Sequence, residues 1–142
     1  GMALSLVPGS TRIASSADQP GLIYDVLAVN PSSLAERRAE WTKVVQVWYR
    51  VVDYFFDPAT REDAIAIMAS RVDLPPAEYA TFVDGTRILK LDEAKAYFEK
   101  KDGFGSLFGS SAISDRFNLD NAVYTEAQDI DSYIDPSITL GM

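Results

Sequence analysis

The residue best placed for chemistry is a single aspartate in an apolar segment. Asp25 is the only charged residue of LIYDVLAV, residues 22–29. β-Branched and aromatic residues without polar alternation predict a strand covered on both faces. An ionised carboxylate there is costly unless it is paired or hydrogen-bonded. Asp25 is therefore interpreted either as a structural group, accepting backbone N–H bonds or pairing with Arg12, or as a ligand-binding group that faces a cleft.

Two other segments contain residue types typical of binding sites but lack the required spacing. In DGFGSLFG, residues 102–109, Phe108 stands where the dinucleotide fingerprint needs its third glycine, and no Gly-Lys-Ser/Thr follows. This segment predicts a linker and a helix start. Asp129, Asp131 and Asp135 alternate loosely, but no glycine occupies the sixth position of a calcium loop. The sequence thus predicts no phosphate loop and no metal site.

The composition narrows the possible chemistry further. The 142 residues include no cysteine and no histidine. These absences exclude disulfides, thiol nucleophiles, Ser-His-Asp catalysis and the commonest transition-metal ligands. An enzyme would depend on carboxylates, lysine, tyrosine or a borrowed cofactor. We therefore expect a protein that is not an enzyme, with no catalytic residues and no cofactor.

The charge balance limits the possible partners. With 21 acidic and 13 basic residues, the formal net charge is −8. This excess of acids disfavours binding to nucleic acid and to anionic membrane surfaces. No run of residues approaches the ~18 apolar positions of a membrane span, and no export signal precedes Pro8. We expect neither membrane insertion nor nucleic-acid binding.

The order of predicted elements favours a helix-dominated α/β fold. Residues 11–16 could form a short strand, and Pro20-Gly21 predicts a type II turn with a positive φ at Gly21. The strand at 22–29 follows and ends at Asn30-Pro31. Helices are predicted at 34–56, 64–72, 77–85, 92–103 and 106–117, with one turn in the tail 127–142. This organisation gives residues 2–30 as short strands and a connecting segment and 31–142 as a helical part of one domain.

The predicted helix at 34–56 has an unusually apolar face. Helical spacing places six side chains on it: Trp41, Val44, Val45, Trp48, Val52 and Phe55. Such a face predicts a central position in the core, with Trp48 buried. Truncation of Trp48 to alanine would then cost ~3–5 kcal/mol of stability.

The order of several segments resembles a known family. These segments are SSADQPGLIYDVLAVN, DPATREDAIAIMA, DLPPAEY and YIDPS, which span about residues 11–137. In this order they resemble the C-terminal part of ABC-transporter solute-binding proteins of the nitrate/sulfonate/taurine class. The resemblance implies part of a type II periplasmic-binding-protein fold, with one or two N-terminal strands followed by a train of helices. It also implies a periplasmic location, an ABC permease as partner and a small organic solute as ligand.

The same resemblance implies a ligand site near the hinge between the two lobes of the family. Asp25 would face the cleft and pair with the ammonium group of a taurine-type solute, and Tyr24 would line the cleft. Ser15, Ser16 and Gly21 would approach it. The alternative is a free-standing helical interaction module without a ligand. In either case an uncovered strand edge and apolar helix face predict a homodimer.

Overall fold

The computed structural model describes residues 6–142 of the chain. About 56% is helical, and the described residues contain no strand. Between residues 16 and 142, a short 3-10 helix at Ser16–Asp18 precedes eight α-helices. These are α1 (Pro31–Glu36), α2 (Arg38–Phe56), α3 (Arg61–Ser70), α4 (Pro76–Asp84), α5 (Leu91–Tyr97), α6 (Leu107–Asp120), α7 (Ile130–Tyr133) and α8 (Ser137–Leu140). No helix among the described residues is long and apolar enough to cross a membrane.

The predicted α/β fold with N-terminal strands is wrong. Residues 11–15 and 24–30 have no regular secondary structure, and residues 2–5 of the predicted strand-containing segment lie outside the described part. Asp25–Val29 form no backbone hydrogen bond with any described residue. A strand needs a neighbouring strand to pair with its N–H and C=O groups. Because none is present between residues 6 and 142, the residues with strand propensity form no regular secondary structure there.

The start of the helical part follows local signals. Oδ1 of Asn30 accepts hydrogen bonds from the backbone N–H groups of Ser32 and Ser33 at 3.0 and 3.4 Å, and Pro31 occupies the first helical position. The predicted helix at 34–56 is divided at Arg37, whose φ of −127° and ψ of 37° are not helical. Nε1 of Trp41 donates to Oγ of Ser33 at 3.1 Å and so links α2 to α1.

The described chain divides into two units that are not sequential. The α6 unit comprises the described residues up to Leu27 together with Tyr97–Asp135, and the α2 unit comprises Ala28–Ala96 and Pro136–Met142. The core of the α2 unit is contributed by α2, α3 and α4. Its buried members are Phe55, Ala64, Ile65 and Val83, with Met68, Tyr79, Ala80 and Ile88 packed around them.

The predicted burial of Trp48 is wrong. Trp48 is 55% exposed, whereas Val52 and Phe55 are 2% and 5% exposed. Phe55 lies near the C-terminal end of α2, where α3 and α4 provide its neighbours. The apolar face therefore enters the core at that end, and its middle faces solvent. Half of the Trp48 side chain remains in contact with water. Truncation of Trp48 to alanine is therefore expected to lower the free energy of unfolding by less than truncation of a core aromatic residue would.

Candidate functional site

All five residues of the predicted ligand site belong to the α6 unit. Ser15 precedes the 3-10 helix, and its N–H donates a 2.7 Å hydrogen bond to Oδ2 of Asp18. The N–H of Asp18 donates in return to the carbonyl of Ser15 at 3.0 Å. Ser16 lies inside the 3-10 helix with its side chain exposed. The backbone groups of Ser15 thus stabilise a local turn.

Gly21 makes a close backbone approach to a distant part of the chain. Its φ is +85°, and the N–H of Leu22 donates to the carbonyl of Gln19 at 3.2 Å, so the predicted Pro20-Gly21 turn is confirmed. A Cβ atom on Gly21 would lie only 1.9 Å from the carbonyl oxygen of Phe104. Oγ of Ser110 also donates a 2.7 Å hydrogen bond to the carbonyl of Gly21. The absence of a side chain permits this packing.

Tyr24 attaches the next residues to the same place. Its hydroxyl donates a 2.7 Å hydrogen bond to the carbonyl oxygen of Phe104. Its ring meets that of Tyr97 edge to face, with 5.7 Å between centroids and 71° between planes. Gly21 and Tyr24 therefore converge on Phe104, and this contact fixes the backbone immediately before Asp25.

Asp25 itself is exposed. Within residues 6–142 its carboxylate has no hydrogen bond or ion pair, so neither a backbone donor nor Arg12 holds it there. Because the expected covered strand is not formed, burial does not force the carboxylate to find a partner. The structure brings Gly21 and Tyr24 together and leaves Asp25 in contact with solvent beside them.

Three small residues that support this arrangement were missed by sequence reasoning. Ser106 is fully buried, and its Oγ donates to the carbonyl of Glu99 at 2.6 Å and accepts from the N–H of Phe108 at 3.2 Å. Ser110 is 4% exposed. A Cβ on Gly109 would lie 2.4 Å from the carbonyl oxygens of both Lys101 and Gly103. The available signal is the density of glycine and serine in residues 103–110, which by sequence alone predicts only a linker and a helix start.

A shallow depression lies beside this packed segment. It has a volume of about 350 Å³ and is lined by Asp102, Gly103, Gly109, Ala112, Ile113 and Arg116. Nε of Arg116 is hydrogen-bonded to both carboxylate oxygens of Asp120, at 2.9 and 3.0 Å. The guanidinium charge is thus balanced within α6, and the depression presents mainly small and apolar groups.

A larger groove lies along α2 and α8 in the α2 unit. Its volume is about 950 Å³, and its charged lining residues on α2 are Arg38, Lys43, Arg50 and Asp53. Arg38 also donates a hydrogen bond to Oγ of Ser137 at the start of α8. Three cations and one acid give this face of α2 a positive charge, although the whole chain carries −8. The groove would attract anionic groups by long-range electrostatics.

Two pKa shifts in the α2 unit come from surface hydrogen bonds. The pKa of Tyr54 is raised because its hydroxyl donates to Oδ2 of Asp63 at 2.6 Å, which favours the protonated phenol. The pKa of Glu93 is lowered because its carboxylate accepts from Nη2 of Arg87 at 3.1 Å and from the N–H of Lys90 at 3.3 Å. These pairs stabilise local structure. No group of three metal-ligating side chains occurs in the part of the chain that the structure describes.

Comparison with known proteins gives no relative for this chain. No family model matches it, and no curated protein or solved structure matches it either. The candidate functional site is the contact of Gly21 and Tyr24 with Phe104, with the exposed carboxylate of Asp25 next to it.

Proposed function

We propose that this chain is part of the solute-binding component of an ABC uptake system and that it acts outside the cytoplasmic membrane. Its ligand would be a small organic solute such as taurine, another sulfonate or a nitrate-like anion, and its partner would be an ABC permease. No covalent chemistry is required for this function. The observation that supports it most is an exposed carboxylate, Asp25, immediately after a backbone segment held by Tyr24.

Asp25 would bind the cationic end of a zwitterionic solute. A carboxylate that no described residue engages can accept charge-assisted hydrogen bonds from an ammonium group. The contact of Gly21 and Tyr24 with Phe104 limits the movement of the adjoining backbone, which lowers the entropy lost on binding. The sulfonate end would need cationic or N–H donors elsewhere.

A free-standing helical interaction module is the second candidate. It is favoured by apolar side chains that remain in water around Asp25: Leu22 is 47% exposed, Ile23 69%, Val26 65% and Leu27 60%. Monomeric proteins rarely expose large contiguous apolar patches unless these bind another molecule. This candidate needs no solute, so a binding measurement with defined solutes distinguishes the two.

The Asp25→Asn variant is expected to bind taurine about 10–100 times more weakly than the unmodified chain, because one charge-assisted hydrogen bond is lost. Isothermal titration calorimetry measures this effect. Ethanesulfonate lacks the ammonium group, so its affinity should be unchanged by the same substitution. The shape-conserving change should also leave the helical circular dichroism unaltered.

The matched control is Asp92→Asn, which neutralises an exposed aspartate in the first turn of α5. It should bind taurine as the unmodified chain does. Equal loss of taurine affinity in both variants would show a general charge effect and contradict the role of Asp25. Failure of taurine, ethanesulfonate and nitrate to bind the unmodified chain would contradict the proposed function and favour the interaction module.

A further inference from the structure

One side of α2 carries a continuous row of exposed apolar side chains, here called the α2 stripe. Its members are Val44, Val47, Trp48, Val51 and Tyr54, with exposed fractions of 46%, 52%, 55%, 53% and 41%. They recur at the i, i+3, i+4 and i+7 spacing that places residues on one face of a helix. The stripe is thus a built apolar surface and not a scatter of single exposed residues.

The stripe is not required by the core of the α2 unit. The buried residues of α2 are Val52 and Phe55, and Phe55 packs with residues of α3 and α4. The five half-exposed side chains of the α2 stripe, two of which are large aromatics, offer on the order of 400 Å² of apolar surface. A patch of this size equals the largest apolar patch that a typical monomer exposes, and such patches are often functional.

We propose that the α2 stripe packs against the same stripe of a second copy of this chain, with the two helices parallel. A row of similar side chains is self-complementary, which is what a two-fold symmetric contact requires. Val44 and Val51 would occupy a positions of a short heptad pattern, and Val47 and Tyr54 d positions, with β-branched residues at a as in parallel two-stranded pairs. This inference does not rest on the proposed function.

The apolar surface of the two stripes is large enough to form the core of a small specific dimer interface. Two stripes would bury on the order of 800 Å² of apolar surface, and flanking polar side chains would bring the total towards the ~1,200 Å² of small specific interfaces. Hydrophobic burial of this extent favours association because it removes the surface from water. The expected dimer is therefore one that forms at micromolar concentration.

The charged residues beside the stripe favour the parallel orientation of the two helices. Lys43 and Arg50 precede the two a-position valines and so occupy g positions of the heptad pattern. In the part of the chain that the structure describes, neither has a hydrogen bond or an ion pair. An antiparallel pair would place these cations against each other, whereas a parallel pair places Lys43 near the partner's Trp48. The ammonium can then lie over the indole ring in a cation–π contact.

Val51→Glu tests the surface. In a parallel dimer two glutamates would face each other at the centre of the contact. The dissociation constant of the dimer, measured by sedimentation equilibrium, should therefore rise at least ~100-fold. Val72→Glu is the matched control, because Val72 lies outside the stripe and is also 53% exposed. A monomeric unmodified chain at micromolar concentration, or a Val51→Glu variant as dimeric as the control, would overturn the proposal.

Disulfide trapping tests the orientation without any destabilising charge. The chain has no cysteine, so Val44→Cys and Val51→Cys each introduce a single thiol. In a parallel dimer each residue faces its own counterpart within disulfide reach, and each variant should form a covalent dimer on mild oxidation. An antiparallel pair would instead place a positions against d positions, so covalent dimers that appear only when Val51→Cys is mixed with a Val47→Cys variant would overturn the parallel arrangement. Absence of any covalent dimer would contradict the stripe as the interface.

Discussion

A Phe55→Ala variant is expected to lose ~3–5 kcal/mol from the free energy of unfolding of the α2 unit. Phe55 is 5% exposed and lies at the centre of the cluster with Ala64, Ile65 and Val83. Its removal loses the burial of the ring and leaves a cavity where α2, α3 and α4 meet. The guanidinium of Arg61, 4.5 Å from the ring centroid, would lose its cation–π contact as well.

Urea denaturation followed by tryptophan fluorescence measures this loss. Both tryptophans of the chain, Trp41 and Trp48, lie on α2, so their emission reports on the unit that contains Phe55. Phe82→Ala is the control, because Phe82 is on α4 in the same unit and is 55% exposed. It should cost about 1 kcal/mol or less. Similar losses for the two phenylalanines would mean that Phe55 is not the centre of this core.

A Gly21→Ala variant is expected to destabilise the α6 unit by about 3–6 kcal/mol. The positive φ costs roughly 1–2 kcal/mol for an alanine, and the added methyl group would collide with the backbone carbonyl of Phe104, 1.9 Å away. Relief of the collision requires the turn to move off Phe104, which costs roughly 1–3 kcal/mol for an overpacked contact. The hydrogen bond from Tyr24 to Phe104 would also be lost, at about 1 kcal/mol.

A Gly103→Ala variant separates the conformational cost of a positive φ from the cost of the collision with Phe104. Gly103 has nearly the same φ, +82°, but a Cβ there would have no atom within 4 Å. The Gly103→Ala variant should therefore lose only the stability that an alanine at positive φ costs. Hydrogen exchange of the backbone amides of α6 measures both variants, since α6 holds Ser110, which is bonded to Gly21. Equal protection of α6 in the two variants would contradict the close packing of Gly21 against Phe104.

Local sequence signals were reliable where the structure depends on neighbouring residues. The Gln19–Leu22 turn was predicted from Pro20-Gly21 and confirmed, because a fixed φ at proline and a positive φ at glycine specify a turn without help from other segments. The helix start was predicted at residue 34 but lies at Pro31, where the amide side chain of Asn30 caps the helix. The break at Arg37 had no such signal and was missed.

For the candidate site, the sequence could identify residues but not their contacts. Gly21 was predicted as the positive-φ residue of its turn, yet its closest neighbour, Phe104, is more than eighty residues away in the chain. The glycines of residues 102–109 fit no phosphate motif and predict only a linker and a helix start, whereas Gly109 is needed for the packing of a helix against Lys101 and Gly103. Such contacts cannot be read from spacing, since they join segments with no regular separation.

Most helical segments, the turn at Gly21 and the apolar face of α2 could be predicted from the sequence, because each is specified by interactions within a few residues. The conformation of residues 22–29 and the burial of Trp48 depend on tertiary contacts and could not be predicted in this way. Strand propensity is realised only when another strand supplies hydrogen bonds, and no described segment does so for Asp25–Val29. Likewise, a helical pattern defines which side chains share a face, but burial depends on which helices reach it. The α3 and α4 helices reach Phe55 and leave Trp48 exposed.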